Sequence, residues 1–196
     1  ILCLTLIYSF FNIDIDARVL PQDVIWNNDE TGYYTIDENS IVLVSTIGKK
    51  DKKILSSEDV KNKKIESFSF SQDKKNVLIF TNSVRVWRYN TRGNYWVYNL
   101  KTKQGKRLGS TLPDRSLMFA KFSPNGKKIA YVSKEIIPNS FRNSSTRANI
   151  YFETVEGNSI VKLTESDEKG KIINGTFDWV YDCLLYTSPS PRDTLL

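Results

Sequence analysis

Short apolar runs separated by Asp, Asn, Gly and Lys recur along most of this chain. Ile41-Val42-Leu43-Val44, Val77-Leu78-Ile79-Phe80, Tyr95-Trp96-Val97-Tyr98 and Ile129-Ala130-Tyr131-Val132 are the clearest, with Asn149-Ile150-Tyr151-Phe152 behind them. Runs this short, rich in β-branched and aromatic residues and bounded by turn formers, predict strands rather than helices. The runs also repeat. Phe70-Ser71-Gln72-Asp73 precedes the run at Val77, and Phe122-Ser123-Pro124-Asn125-Gly126 precedes the run at Ile129, with the two serines 52 residues apart. Trp26-Asn27-Asn28-Asp29, followed by Gly32-Tyr33-Tyr34-Thr35, is a third and more divergent copy.

Each copy has a second half. Ile41 to Val44 leads through Gly48-Lys49-Lys50 to Lys53-Ile54-Leu55. Tyr95 to Tyr98 leads through Lys101 and Gly105 to Leu108, and the run at Asn149 leads through Glu156-Gly157-Asn158 to Ile160-Val161-Lys162-Leu163. The unit is strand, Asp/Asn/Gly turn, strand, loop, strand, Gly turn, strand. Four short strands in about 45 to 50 residues is the unit of a β-propeller blade. Asn, Asp and Gly suit the positive φ of tight turns, and Pro124 presets φ at a turn entrance. The aromatic before each serine is expected to pack between blades. A β-sandwich with similar strand spacing is the competing architecture.

Charge changes the picture little. The chain has 196 residues and a net charge of +6, and its Lys residues cluster between the apolar runs: Lys49, Lys50, Lys52 and Lys53, then Lys61, Lys63 and Lys64, then Lys74 and Lys75. These read as solvated hairpin tips. No RNA or DNA motif accompanies them, so no nucleic-acid partner is expected. Asp114-Arg115 and residues 165–169 read as charged loops without chemistry.

Candidate chemistry is bounded by what the chain lacks. It has no histidine, so it cannot supply the imidazole that takes the serine proton in a Ser-His-Asp triad. No G-x-S-x-G elbow occurs. Its two cysteines are Cys3 and Cys183, which offer neither a structural disulfide nor a CxxC metal site in the body of the chain. No catalytic residue, metal or cofactor is therefore expected within this polypeptide.

The ends differ from the middle. Residues 1–12 begin with the apolar, uncharged run ILCLTLIYSFF, too short to span a bilayer, which takes ~20 residues. They are read as the remnant of a signal peptide or signal anchor, which places the body in the secretory pathway: extracellular, periplasmic, or membrane-anchored and facing outward. A buried first strand is the alternative. The sequons at Asn143 and Asn174 are compatible with export. Residues 183–196 open with CLLYTSPSPRD, which resembles a translated sequencing-library adapter, and they are set aside as a non-native tail. The chain is thus expected to be a piece truncated at both ends.

Two further segments carry a family resemblance. Val86-Trp87-Arg88-Tyr89 leads into the aromatic strand at Tyr95, and some eighty residues later the chain reads Asn174-Gly175-Thr176-Phe177-Asp178-Trp179-Val180-Tyr181. With the segment 122–132 between them, these resemble the N-terminal β-propeller of the dipeptidyl peptidase IV family of serine exopeptidases, over residues 20–182. The resemblance implies an all-β fold, a partial β-propeller of about three four-stranded antiparallel blades from an eight-bladed parent. It also implies a role in substrate gating for an enzyme that releases N-terminal dipeptides, with the α/β-hydrolase domain outside this chain. Arg88 matches the family arginine that binds the carbonyl between the first two substrate residues, a task suited to the fixed N–H fork of a guanidinium. Trp179 and Tyr181 are read as blade packing. The family's acidic pair, which holds the substrate ammonium by charge-assisted hydrogen bonds, is absent: after Asp182 the sequence gives Cys183 and Leu184. The implied partners are peptides with a free N-terminus, and the family often forms homodimers through other parts. Two other readings stand beside this one: an inactive homologue serving as a binding module, and a TolB-like propeller acting in protein–protein contacts.

Overall fold

The computed structural model describes residues 24–61, 63–86, 89–136, 146–157, 159–166 and 174–176. Twelve strands fall into three consecutive antiparallel meanders. The first is β1 (Ile25–Trp26), β2 (Gly32–Asp37), β3 (Ser40–Ser45) and β4 (Lys52–Leu55). A short 3-10 turn (Glu58–Val60) leads to β5 (Ile65–Phe70), β6 (Asn76–Val86), β7 (Tyr89–Asn99) and β8 (Gln104–Arg107). The third comprises β9 (Leu117–Phe122), β10 (Lys128–Ile136), β11 (Thr146–Thr154) and β12 (Ile160–Lys162). Within each meander every strand pairs with its neighbour in sequence, and a single bridge, Gly93 to Leu117, links the second meander to the third. This is the expected partial propeller, and the strands fall where the apolar runs place them.

The turns are alike because the same short side chains close them. Ser71 Oγ accepts from Asn76 N at 3.0 Å and donates to Asp73 Oδ1 at 2.7 Å. In the next blade Ser123 Oγ accepts from Lys128 N at 2.9 Å and donates to Asn125 Oδ1 at 2.8 Å. Asn27 takes the same place in the first blade, its Oδ1 accepting from Gly32 N at 3.2 Å. Three residues beyond each of these, the backbone turns left-handed: Glu30 at φ 55°, Lys74 at 52° and Gly126 at 67°. A non-glycine residue there costs roughly 1–2 kcal/mol. Gly126→Ala is accordingly expected to lower stability by about 1 kcal/mol, since its new Cβ meets nothing closer than 3.4 Å and only backbone strain is added. Lys74→Gly should be near neutral, because relieved strain is offset by losing the ammonium 5.1 Å from the Tyr34 ring. Urea midpoints of the two variants test this contrast.

Packing follows from strand parity. Side chains alternate between the two faces of a strand, and the second blade is apolar on both. Val77, Ile79, Trp96 and Tyr98 face the first blade, where they meet Ile41 and Leu55, with Val60, Ile65 and Phe68 in the same cluster. Leu78 and Val97 face the other way, toward Leu108, Leu117, Ile129, Tyr131 and Tyr151. The aromatics before the turn serines do pack at these seams, Phe70 against Tyr34 at 4.6 Å and Phe122 beside the second cluster. The lysines divide differently from the expectation. Lys74 and Lys75 sit in a hairpin turn, but Lys52 and Lys53 lie exposed on the edge strand β4, where charge discourages pairing with another chain.

Candidate functional site

The second blade carries a long central hairpin. Strands β6 and β7 are eleven residues long, against nine in β10 and β11 and six in β2 and β3. They pair from Asn76 and Asn99 out to Val86 and Tyr89. The hairpin therefore runs on past the seam, and Trp87 and Arg88 join its arms in the sequence. Those two residues lie outside the described residues, as do Asp178, Trp179 and Tyr181, so the geometry below concerns what supports them.

The register of the hairpin breaks between Thr81 and Val84, where Asn82 has φ 57°. A bulge of this kind bends a strand and re-aims what lies beyond it. It is held from two sides. On one, Ser83 N donates to Glu66 Oε1 of the neighbouring strand β5 at 2.8 Å. On the other, Arg115 reaches across from the crossover between blades: its Nε donates to Asn82 O at 3.2 Å and its Nη2 to Ser83 O at 3.1 Å. Arg115 is itself positioned by Asn94 on β7. The Asn94 amide, 2% exposed, accepts from Arg115 N at 2.9 Å and donates to Asp114 Oδ1 at 3.0 Å. Next to it, Gly93 packs so closely that a Cβ would lie 2.6 Å from the Phe80 ring and 2.8 Å from the Thr81 carbonyl. Only glycine fits where the hairpin meets the third blade. Asp114 and Arg115, read from sequence as idle loop charges, are thus ties of the hairpin base. Nothing in the apolar pattern points to them, because the bulge they serve leaves no compositional trace.

A second polar cluster lies between the second and third blades. Glu153 is 2% exposed. Its Oε1 accepts from Gly109 N at 2.6 Å and from the Tyr131 hydroxyl at 2.5 Å, while Lys106 Nζ lies 3.7 Å from Oε2. Lys106 also donates to the carbonyls of Thr154 and Gly157. Burial, then the bond to Glu153, pushes the Tyr131 hydroxyl well above the usual tyrosine range. A cavity of about 570 Å³ opens beside this cluster, lined by Lys61, Lys63, Lys106 and Arg107 against Asp114 and Glu153. Its carboxylates are already engaged within the protein. The arrangement locks blades together and presents no nucleophile with an adjacent base. Among the described residues, no group of three or more His, Cys, Asp or Glu is placed to hold a metal ion. No helix among them is long and apolar enough to cross a membrane.

Comparison with known proteins adds a family context. Residues 71–183, more than half the chain, match the dipeptidyl peptidase IV (DPP IV) N-terminal region. The chain is 28% identical over 157 residues to the prolyl endopeptidase FAP of Homo sapiens, covering 80% of this chain and 19% of that protein. It is 31% identical over 121 residues to dipeptidyl aminopeptidase B of Saccharomyces cerevisiae, covering 62% of this chain and 13% of the other. Among solved structures, Porphyromonas gingivalis dipeptidyl peptidase 4 superposes with a TM-score of 0.62 at 21% identity, over 81% of this chain and 21% of that one. The last similarity supports the fold alone. The chain spans about a fifth or less of the length of each of these proteins.

Proposed function

The chain belongs to the dipeptidyl peptidase IV family, as part of its N-terminal region, and from that premise we propose that it is the substrate-gating portion of a serine exopeptidase releasing dipeptides from free peptide N-termini. The observation that carries the reading is the extended β6–β7 hairpin, whose arms are joined by Trp87-Arg88. A guanidinium there would orient the substrate carbonyl for attack without moving a proton, a contribution of alignment. The nucleophile, its base and the acidic anchor for the substrate ammonium would come from the rest of the parent protein. With no histidine, this polypeptide alone is expected to turn over no peptide. The apolar run at residues 1–11 supports export, so the propeller would act outside the cytoplasm or within the secretory pathway.

The test uses the parent gene product carrying both propeller and hydrolase domain. Arg88→Ala is expected to lower kcat/KM for peptides with penultimate Pro or Ala roughly 100-fold, with labelling of the nucleophile by a fluorophosphonate unchanged. Blocking the substrate amine by acetylation should abolish turnover by the unaltered enzyme. Full turnover by the Arg88→Ala enzyme would remove the proposed role.

A further inference from the structure

The hairpin that carries Arg88 is aimed from its base, and the base is held by a residue of a different structural unit. We infer that Arg115 is a positioning residue for substrate: by gripping the bulge at Asn82-Ser83 it sets the direction of the outer hairpin, and hence the placement of Arg88. The inference rests on the gating role proposed above.

Three observations lead to it. First, the bulge is where direction is decided. Pairing is regular from Asn76 to Thr81, slips before Val84 and slips again before Val86, so the first slip, at Asn82-Ser83, is where the outer hairpin leaves the line of the blade. Second, the contacts are to backbone and come from both sides. Glu66 accepts the Ser83 N–H, and the Arg115 guanidinium donates to the carbonyls of Asn82 and Ser83. Contacts of this kind fix the path of the chain whichever side chains the hairpin bears. Third, Arg115 is built for reach rather than for stability. Its side chain is exposed, so its removal leaves no cavity. Yet its backbone sits at φ 57°, a left-handed conformation disfavoured for arginine, with its N–H held by the buried Asn94. The strained backbone sends the side chain across to β6. A guanidinium offers donors in a fixed fork, which matches two successive carbonyls better than a lysine ammonium would.

If Arg115 works only through the hairpin tip, its effect depends on Arg88 being present. The experiment is a double-mutant cycle in the parent enzyme, which separates a shared pathway from two independent losses. Arg115→Ala is expected to lower kcat/KM for dipeptide-releasing substrates roughly 10-fold, with fluorophosphonate labelling intact. In the Arg88→Ala background the same substitution should change kcat/KM by less than about 2-fold. Arg115→Lys keeps the charge and loses the fork, and should lie between wild type and Arg115→Ala; it serves as the readable variant should the alanine form fold poorly. Equal losses in both backgrounds would assign Arg115 to general structure and overturn the inference. So would an unchanged kcat/KM in Arg115→Ala where Arg88→Ala is impaired. A fully active Arg88→Ala enzyme would instead bring down the gating role itself, a result distinct from either.

Discussion

Replacing Glu153 with alanine is expected to destabilise the chain by about 3–5 kcal/mol, the usual cost of removing one partner from a buried charged pair. The substitution strands the Tyr131 hydroxyl and the Gly109 N–H in a buried seam, and each unsatisfied donor costs about 1–3 kcal/mol. Lys106 fares better, since it keeps the carbonyls of Thr154 and Gly157. Glu153→Gln should lose less, because its amide oxygen can still accept from both Tyr131 and Gly109 and only the charge facing Lys106 is gone. Urea titration gives the difference, and a loss below about 1 kcal/mol for Glu153→Ala would show that the cluster is wetter than its burial implies. The same cluster sets an alkaline limit. A tyrosine whose folded pKa lies above its unfolded value of 10.0 contributes stability that is complete below pH 10. That stability is lost as pH rises further, by about 1.4 kcal/mol per unit. Tyr98 and Tyr34, raised first by burial, add in the same direction.

The second large effect exploits the two-faced blade. Ile79 and Leu78 are adjacent in sequence and almost fully buried, yet they belong to different seams. Ile79→Ala and Leu78→Ala should each cost about 2–5 kcal/mol, combining lost transfer energy with a cavity. The losses should be localised differently. Hydrogen exchange in Ile79→Ala should rise most in β2 to β4, and in Leu78→Ala most in β9 to β12, because local opening follows the contacts that were removed. The same pattern of exchange in both variants would mean that the three blades melt as one unit.

Much of the architecture was legible from the chain itself. Short β-branched and aromatic runs bounded by turn residues placed the strands, and the repeated Phe-Ser turn gave the blade register. Glu153 was legible in part: it shares strand parity with Tyr151, which points inward, but a carboxylate beside an Asn/Gly turn reads as solvated unless its partners are known. The bulge at Asn82-Ser83 could not be read, because a bulge changes hydrogen bonding without changing the apolar pattern. Arg115 was missed for the same reason. Its partners are backbone carbonyls, and these are written nowhere in a sequence. Arg88 rests on resemblance, since it lies outside the described residues.

Among the described residues pairing runs between successive strands of a meander, the one bridge from Gly93 to Leu117 apart, and that has a bearing on the chain's birth at the ribosome. A hairpin closes in roughly 1–10 μs, whereas about 50 residues of blade take several seconds to synthesise at ~5–20 residues per second. Each meander can therefore be complete long before its successor emerges. During that wait the face bearing Leu78 and Val97 stands open to water, and it closes only when Leu117, Ile129 and Tyr151 arrive to cover it.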